Sequence, residues 1–165
     1  EDRRWSSIVV AAHNGRGTRH IELVERKPGV AWLVEAVSTL RAKWGTEVPV
    51  CILPSTAAAS VIVELEALSV PVTKVATQQY AASCGAFFDA VEGRTVAQRS
   101  QDEALFGPAL LAARRQAAAE GWRWKAKDEA SDITPLVAAT LALGALPAAA
   151  GHEHTASVVV DLGDY

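Results

Sequence analysis

The residues best suited to chemistry lie within residues 121–146, where one carboxylate, Asp132, precedes an uncharged run rich in alanine and leucine. Thr134 and Pro135 are typical of a helix start, because threonine can cap the first turn and the missing N–H of proline has no helical partner there anyway. A helix as apolar as residues 136–146 must be buried. Asp132 is therefore predicted at the mouth of a buried helix, either as a cap or as a ligand.

The segment before Asp132 alternates aromatic and basic residues, and its members are Trp122, Arg123, Trp124, Lys125 and Lys127. A period of two predicts a short strand with the tryptophans on one face and the cations on the other. A carboxylate, a basic ribbon and a buried helix together fit a site that meets phosphates through metal ions. A capped helix that follows a solvated basic strand accounts for the same residues, since carboxylate caps are common.

Other residues could add ligands to such a site. Asp128 would share a helix face with Asp132 if the helix began early, and otherwise it is solvated linker charge. Asp2 could reach the site from the terminus, although chain termini are usually mobile. His152 and His154 have the spacing of zinc ligands on a strand, but no cysteine or acidic residue accompanies them at metal spacing.

The composition describes a globular chain. It has 165 residues, half of them hydrophobic, and a net charge of −3, so any contact with nucleic acid must use a local patch. Cys51 and Cys84 lie in apolar runs and are expected to be reduced core residues of a cytosolic protein. No phosphate-binding loop, signal peptide or membrane span is visible. The chain contains no methionine and opens on Glu1, which suggests a piece of a longer protein or a processed chain.

The order of predicted elements indicates an α/β domain. Residues 5–12 and 18–25 flank a glycine-rich turn and predict an antiparallel hairpin. Strands and helices then alternate, which favours a mixed sheet of a hairpin and parallel strands flanked by helices, the element order of the ribonuclease H-like architecture. The further predicted elements are a helix over 30–44, a strand over 48–53, a helix over 57–68, a strand over 70–75, a helix over 77–91, an extended segment over 94–98 and a helix over 102–119.

Two boundaries and one helix face complete this outline. Residues 1–150 are predicted to form the domain, with its first strand truncated, and residues 151–165 a tail that holds a strand-like run at 157–160. In the helix over 102–119, the leucines are expected to face inward and the paired arginines to face water, namely Leu105, Leu110, Leu111, Arg114 and Arg115.

Several blocks of the chain resemble a known family. They are DRRWSSI at residues 2–8 leading into the hairpin, FFDAV at 87–91, GWRW at 121–124 and DITPLVAATLA at 132–142. In order and spacing the chain resembles, over residues 2–146, the C-terminal nuclease domain of a bacteriophage terminase large subunit. The last block is the most specific of the four.

The resemblance implies a ribonuclease H-like endonuclease that cuts concatemeric double-stranded DNA with two divalent cations, Mg²⁺ or Mn²⁺, held by acidic residues. It also implies the partners of a packaging motor in the bacterial cytoplasm: double-stranded DNA, an ATPase domain upstream in the same polypeptide, the terminase small subunit and the portal protein. No membrane is involved.

The family's three acidic positions carry over unevenly. The third falls on Asp132, the second falls on Leu53, and the first would lie on a strand before Asp2, beyond the start of this chain. Whether this chain is an active enzyme is thus open. The alternative is the same fold with a decayed acidic site, serving as a DNA-grip or docking module, and a more remote one is an α/β domain that binds a small molecule. The expected DNA contacts are Arg123, Lys125 and Lys127, because they flank Asp132.

Overall fold

Eight strands and five α-helices form a mixed α/β structure in the computed structural model, which describes residues 5–13, 18–55 and 58–146 and, as backbone alone, residues 156–161. In chain order the elements are β1 (Ser6–His13), β2 (Arg19–Lys27), α1 (Leu33–Trp44), β3 (Val50–Ile52), α2 (Ala58–Ala67), β4 (Val72–Lys74), α3 (Thr77–Glu92), β5 (Val96–Gln98), a 3₁₀ turn (Ser100–Asp102), α4 (Glu103–Ala112), β6 (Ala113–Ala117), β7 (Trp122–Ala126), α5 (Thr134–Ala145) and β8 (Ala156–Asp161). No helix in these ranges is both long enough and apolar enough to cross a bilayer.

Six of the strands form one mixed sheet in the order β4-β3-β8-β1-β2-β5. β1 and β2 make the predicted antiparallel hairpin, while β3 and β4 are parallel neighbours. β8 lies between these two pairs, antiparallel to β1 and parallel to β3. A strand from the far end of the sequence therefore joins the hairpin to the parallel part of the sheet.

The local sequence explains where the central elements begin and end. β3 is wholly buried, as its uninterrupted apolar run predicts, and β4 follows Pro71 at an edge of the sheet, where proline is tolerated. The Oγ of Ser55 accepts a hydrogen bond of 3.1 Å from the N–H of Ala58, so Ser55 caps α2. α5 is buried over its first ten residues, Thr134 to Leu143, which confirms that it is a core helix.

Helices cover both faces of the sheet, because alternate strand residues enter two separate cores. Val9 and Cys51 pack with residues of α3, α4 and α5, whereas Ile8 and Ile52 pack with residues of α1 and α2. This alternation is the period of two that strands impose on side chains. The face that carries α5 is the one that holds Asp132.

The prediction of a single helix over 102–119 is wrong. α4 ends at Ala112, and residues 113–117 form β6, which pairs antiparallel with β7. Alanine, arginine and glutamine all favour helix, so pairing with β7 overrides the local propensity. The expected inward face is wrong as well: Leu105, Leu110 and Leu111 are 39%, 50% and 76% exposed, and Phe106 and Ala109 are the buried residues of α4.

The buried carboxylate of Asp102 lies beside a register shift in the hairpin of β1 and β2. The register of β1 against β2 shifts between Ile8 and Val9, so that Val9 pairs with Leu23 rather than with Val24. The N–H of Leu23 donates a 3.1 Å hydrogen bond to Oδ2 of Asp102, which is 6% exposed. Asp102 thus gives the N–H of Leu23 a partner beside the register shift.

Candidate nucleic-acid interface

Asp132 caps the buried helix. Its Oδ1 accepts a 2.9 Å hydrogen bond from the N–H of Thr134, the first residue of α5, and its Oδ2 accepts one of 2.5 Å from Nε of Arg26. Thr134 does not cap the helix, since its hydroxyl lies 2.7 Å from the Oγ of Ser7. Pro135 is accordingly the second helical residue and not the first, a position where proline is equally compatible with the first turn.

The side chain of Arg26 is held by two contacts, one with Trp5 and one with Asp132. Its guanidinium carbon lies 3.7 Å from the ring centroid of Trp5, and its side chain is 22% exposed, against 13% for Asp132. Stacking on an aromatic face and pairing with a carboxylate both suit the planar guanidinium. Each oxygen of Asp132 therefore has a donor, and its negative charge has a counterion supplied by the protein itself.

The described side chains do not fit a pair of metal ions. At the second acidic position Leu53 offers no oxygen ligand. Asp128 does not share a helix face with Asp132, because α5 begins only at Thr134; its Oδ1 accepts hydrogen bonds from the N–H of Ala130 and the Oγ of Ser131 in a turn. In residues 5–13, 18–55 and 58–146 no three His, Cys, Asp or Glu side chains are grouped closely enough to hold a metal.

The strand order brings one unexpected acidic residue to this end of the sheet. In β8, Asp161 pairs with Ser7 and the preceding Val160 pairs with Ile52. The backbone of Asp161 therefore lies beside Ser7, whose Oγ is 2.7 Å from the Oγ1 of Thr134. No sequence pattern connects residue 161 with residue 132, because the family resemblance places the first strand before Asp2. Asp2, His152 and His154 lie outside the described residues.

β6 and β7 form a separate two-stranded hairpin with a basic face. Arg114 pairs with Lys125 and Gln116 pairs with Arg123, so all four share one side of the hairpin. Nε of Arg123 donates a 3.3 Å hydrogen bond to Oε1 of Gln116. Arg114, Arg123 and Lys125 constitute what is called the basic face below. Arg114 was missed because its segment was assigned to a helix.

The other side of the hairpin is apolar, which confirms the predicted alternation. Trp124 is 6% exposed, and its Nε1 donates a 3.0 Å hydrogen bond to the Oγ1 of Thr140 in α5. Arg115 is exposed, as expected, and its guanidinium carbon also stacks 4.0 Å from the ring centroid of Phe88 and 4.7 Å from that of Trp122. The hairpin is thus fixed to α3 and α5 by its aromatic side, which also carries Arg115, and it presents Arg114, Arg123 and Lys125 on the other side.

Lys127 does not lie on the basic face with Arg123 and Lys125. It follows the last residue of β7, and its Nζ donates a 2.6 Å hydrogen bond to the carbonyl of Leu111. Its N–H donates a 2.9 Å hydrogen bond to the carbonyl of Ala112. Lys127 therefore ties the hairpin to the end of α4 and is not part of the basic face.

Both cysteines are buried and free. Burial raises the pKa of the Cys51 thiol against a smaller opposing effect of a hydrogen bond with Thr73. Burial also raises the pKa of the Cys84 thiol to about 11, despite hydrogen bonds to Tyr80 and to the backbone of Trp124. Thiols held protonated in this way are structural and not nucleophilic.

Comparisons with protein-family models, with curated proteins and with solved structures find no match to this chain. Its function must therefore be inferred from its geometry, in which a neutralised Asp132 and a basic hairpin flank the same buried helix.

Proposed function

We propose that this domain binds double-stranded DNA through its phosphates and does so as a non-catalytic grip module. The observation that carries the proposal is the basic face, on which Arg114, Arg123 and Lys125 lie together with no carboxylate at any of the paired positions of the hairpin. Because the whole chain has a net charge of −3, such a concentration of positive charge on one ribbon is local. Phosphates are the ligand that a row of unpaired cations on a rigid support attracts most strongly.

The surroundings of Asp132 support a grip function over a catalytic one. A carboxylate that binds catalytic cations needs free oxygen lone pairs and further carboxylates beside it. Asp132 instead receives hydrogen bonds from Arg26 and from the first turn of α5, and Leu53 stands where a second ligand is expected. The residues are consistent with an acidic site whose charge is now balanced by a guanidinium.

The strand order supports the ribonuclease H-like architecture as part of this proposal. Its common pattern is an antiparallel strand pair continued, through a central strand, into two parallel strands, and β2-β1-β8-β3-β4 has these orientations. With the blocks that resemble terminase nuclease domains, this points to a part of a viral DNA-packaging motor acting in the bacterial cytoplasm. Its partners would then be DNA, an ATPase domain of the same polypeptide, the small subunit and the portal.

The test is the salt dependence of duplex binding. Arg123→Ala combined with Lys125→Ala should weaken binding to duplexes of any sequence and lower the slope of log K against log salt by about 1–2, since each lost phosphate contact removes close to one counterion. The control is Lys43→Ala combined with Lys74→Ala, which removes the same charge from α1 and β4. Equal effects of the two double variants would refute a role for the basic face.

A second candidate is the metal-dependent endonuclease itself, and the pairing of Asp161 with Ser7 favours it. It places the backbone of a second acidic residue beside the mouth of α5, where Mg²⁺ or Mn²⁺ would need one. A plasmid-nicking assay with Mn²⁺ decides between the candidates. Feeble or no cleavage supports the grip module, whereas efficient cleavage that is lost in both Asp132→Asn and Asp161→Asn establishes the nuclease.

A further inference from the structure

A small cavity of about 170 Å³ lies where the loop after β3 meets β7 and the start of α3. Its floor and walls combine apolar and aromatic side chains with polar ones. The described residues that line it are Leu53, Pro54, Ser55, Thr77, Tyr80, Arg123, Trp124 and Lys125.

The polar groups of this cavity select for an anion. Arg123 and Lys125 of β7 line it, together with Ser55 and Thr77 from two other segments of the chain. No carboxylate is among the described residues of the lining, and neither cation is in an ion pair with a described acidic residue. Two cationic residues beside a partly enclosed space favour a bound anion.

Donor residues contributed by several segments of the chain suit a tetrahedral anion better than a planar one. A carboxylate is best held by one fork of parallel donors, whereas a phosphate has oxygens in four directions. Arg123 and Lys125, Ser55, and Thr77 belong to three separate segments of the chain that line the cavity. We propose that this cavity is a binding pocket for a single phosphate group, which rests on the proposed function in so far as the phosphate belongs to DNA.

Leu53 determines that the net charge of the pocket is positive. It lines the same cavity as Arg123 and Lys125, at the position where the family resemblance leads one to expect an acidic residue. A carboxylate there would neutralise one of the two cations and repel a phosphate. The leucine leaves the cavity positive, so the residue that removes a metal ligand also creates the conditions for direct phosphate binding.

The experiment follows the amide signals of Ser55 and Thr77 by ¹H–¹⁵N NMR during titration of the full chain with inorganic phosphate. Saturable shifts at both amides are expected. Leu53→Asp should weaken phosphate binding about tenfold or more, the effect of placing one opposing charge at a charged hydrogen-bonding site. Leu53→Asn is the matched control, with nearly the same shape as aspartate and no charge, and it should bind phosphate more tightly than Leu53→Asp does. Lys125→Gln should also weaken binding, and its NMR spectrum shows directly whether the fold is retained.

A second arm distinguishes DNA from free phosphate as the source. If inorganic phosphate shifts the two amides and competes with a duplex for the protein, the pocket holds a backbone phosphate. If phosphate binds but duplex does not, the pocket stands and the proposed DNA-binding function fails. An adventitious surface effect, with shifts that do not saturate or that are equal in Leu53→Asp and Leu53→Asn, overturns the pocket even where duplex binding persists.

Discussion

Replacing Asp132 by asparagine or by alanine distinguishes the contributions of its two contacts, one with the N–H of Thr134 and one with Arg26. Asparagine keeps an oxygen that can accept the hydrogen bond from the N–H of Thr134, but it removes the charge that pairs with Arg26. Alanine removes both. If Asp132 is a structural cap balanced by a guanidinium, both substitutions destabilise the fold, and alanine destabilises it more.

The expected magnitudes follow from the burial of the pair. Side chains that are 13% and 22% exposed are screened less than surface ions, so loss of the charge in Asp132→Asn should cost about 1–2 kcal/mol. Loss of the cap in Asp132→Ala adds about 1 kcal/mol. In a chain of this size each kcal/mol lowers the melting temperature by about 2–4 °C.

The measurement is urea unfolding of the two variants, together with a double-mutant cycle that adds Arg26→Ala. A coupling energy of about 1 kcal/mol or more between Arg26 and Asp132 is expected, because the two groups are in direct contact. If Asp132→Asn instead stabilises the protein, the carboxylate is held under electrostatic strain, and the argument for a neutralised site is refuted.

Three further predictions concern the packing of the domain. Gly144→Ala should destabilise it by about 1–3 kcal/mol in thermal unfolding, against the helix preference of alanine, because an added Cβ would lie 2.8 Å from the Cβ of Ser83. Asp102→Ala should cost about 1–3 kcal/mol in urea unfolding by leaving the N–H of Leu23 without its partner, whereas Asp102→Asn should retain most of the stability. Stability should fall as the pH rises from 9 towards 11, because the unfolded Cys84 thiol loses its proton near 9.0 while the folded one keeps it to about 11; Cys84→Ala should reduce this loss in urea titrations at several pH values.

The predictions that succeeded rest on short-range patterns. The hairpin of β1 and β2, the buried β3 and the core helix α5 follow from alternation and apolar runs, which act over a few residues. The two-sided strand β7 follows in the same way from the alternation of tryptophans and cations.

The predictions that failed depend on long-range pairing. Residues 113–117 have good helix formers, and only the partner strand β7 makes them extended. Likewise, no local pattern connects Arg26 with Asp132 or inserts β8 between β1 and β3, because strand order is set by the closure of the whole sheet. The candidate site therefore could be anticipated in its residues on β7 and α5, but not in the counterion that neutralises it.

Arg26 and Leu53 have one electrostatic consequence for the surroundings of Asp132. Arg26 balances the charge of Asp132, and Leu53 adds no charge beside Arg123 and Lys125. A catalytic cluster of carboxylates would repel DNA until metal ions neutralised it, so its affinity for phosphates would depend on those ions. Here the protein's own cations, Arg114, Arg123 and Lys125, supply the positive charge. Phosphate binding should consequently be insensitive to chelators and sensitive to salt, which is the behaviour that a grip module needs and a two-metal nuclease does not share.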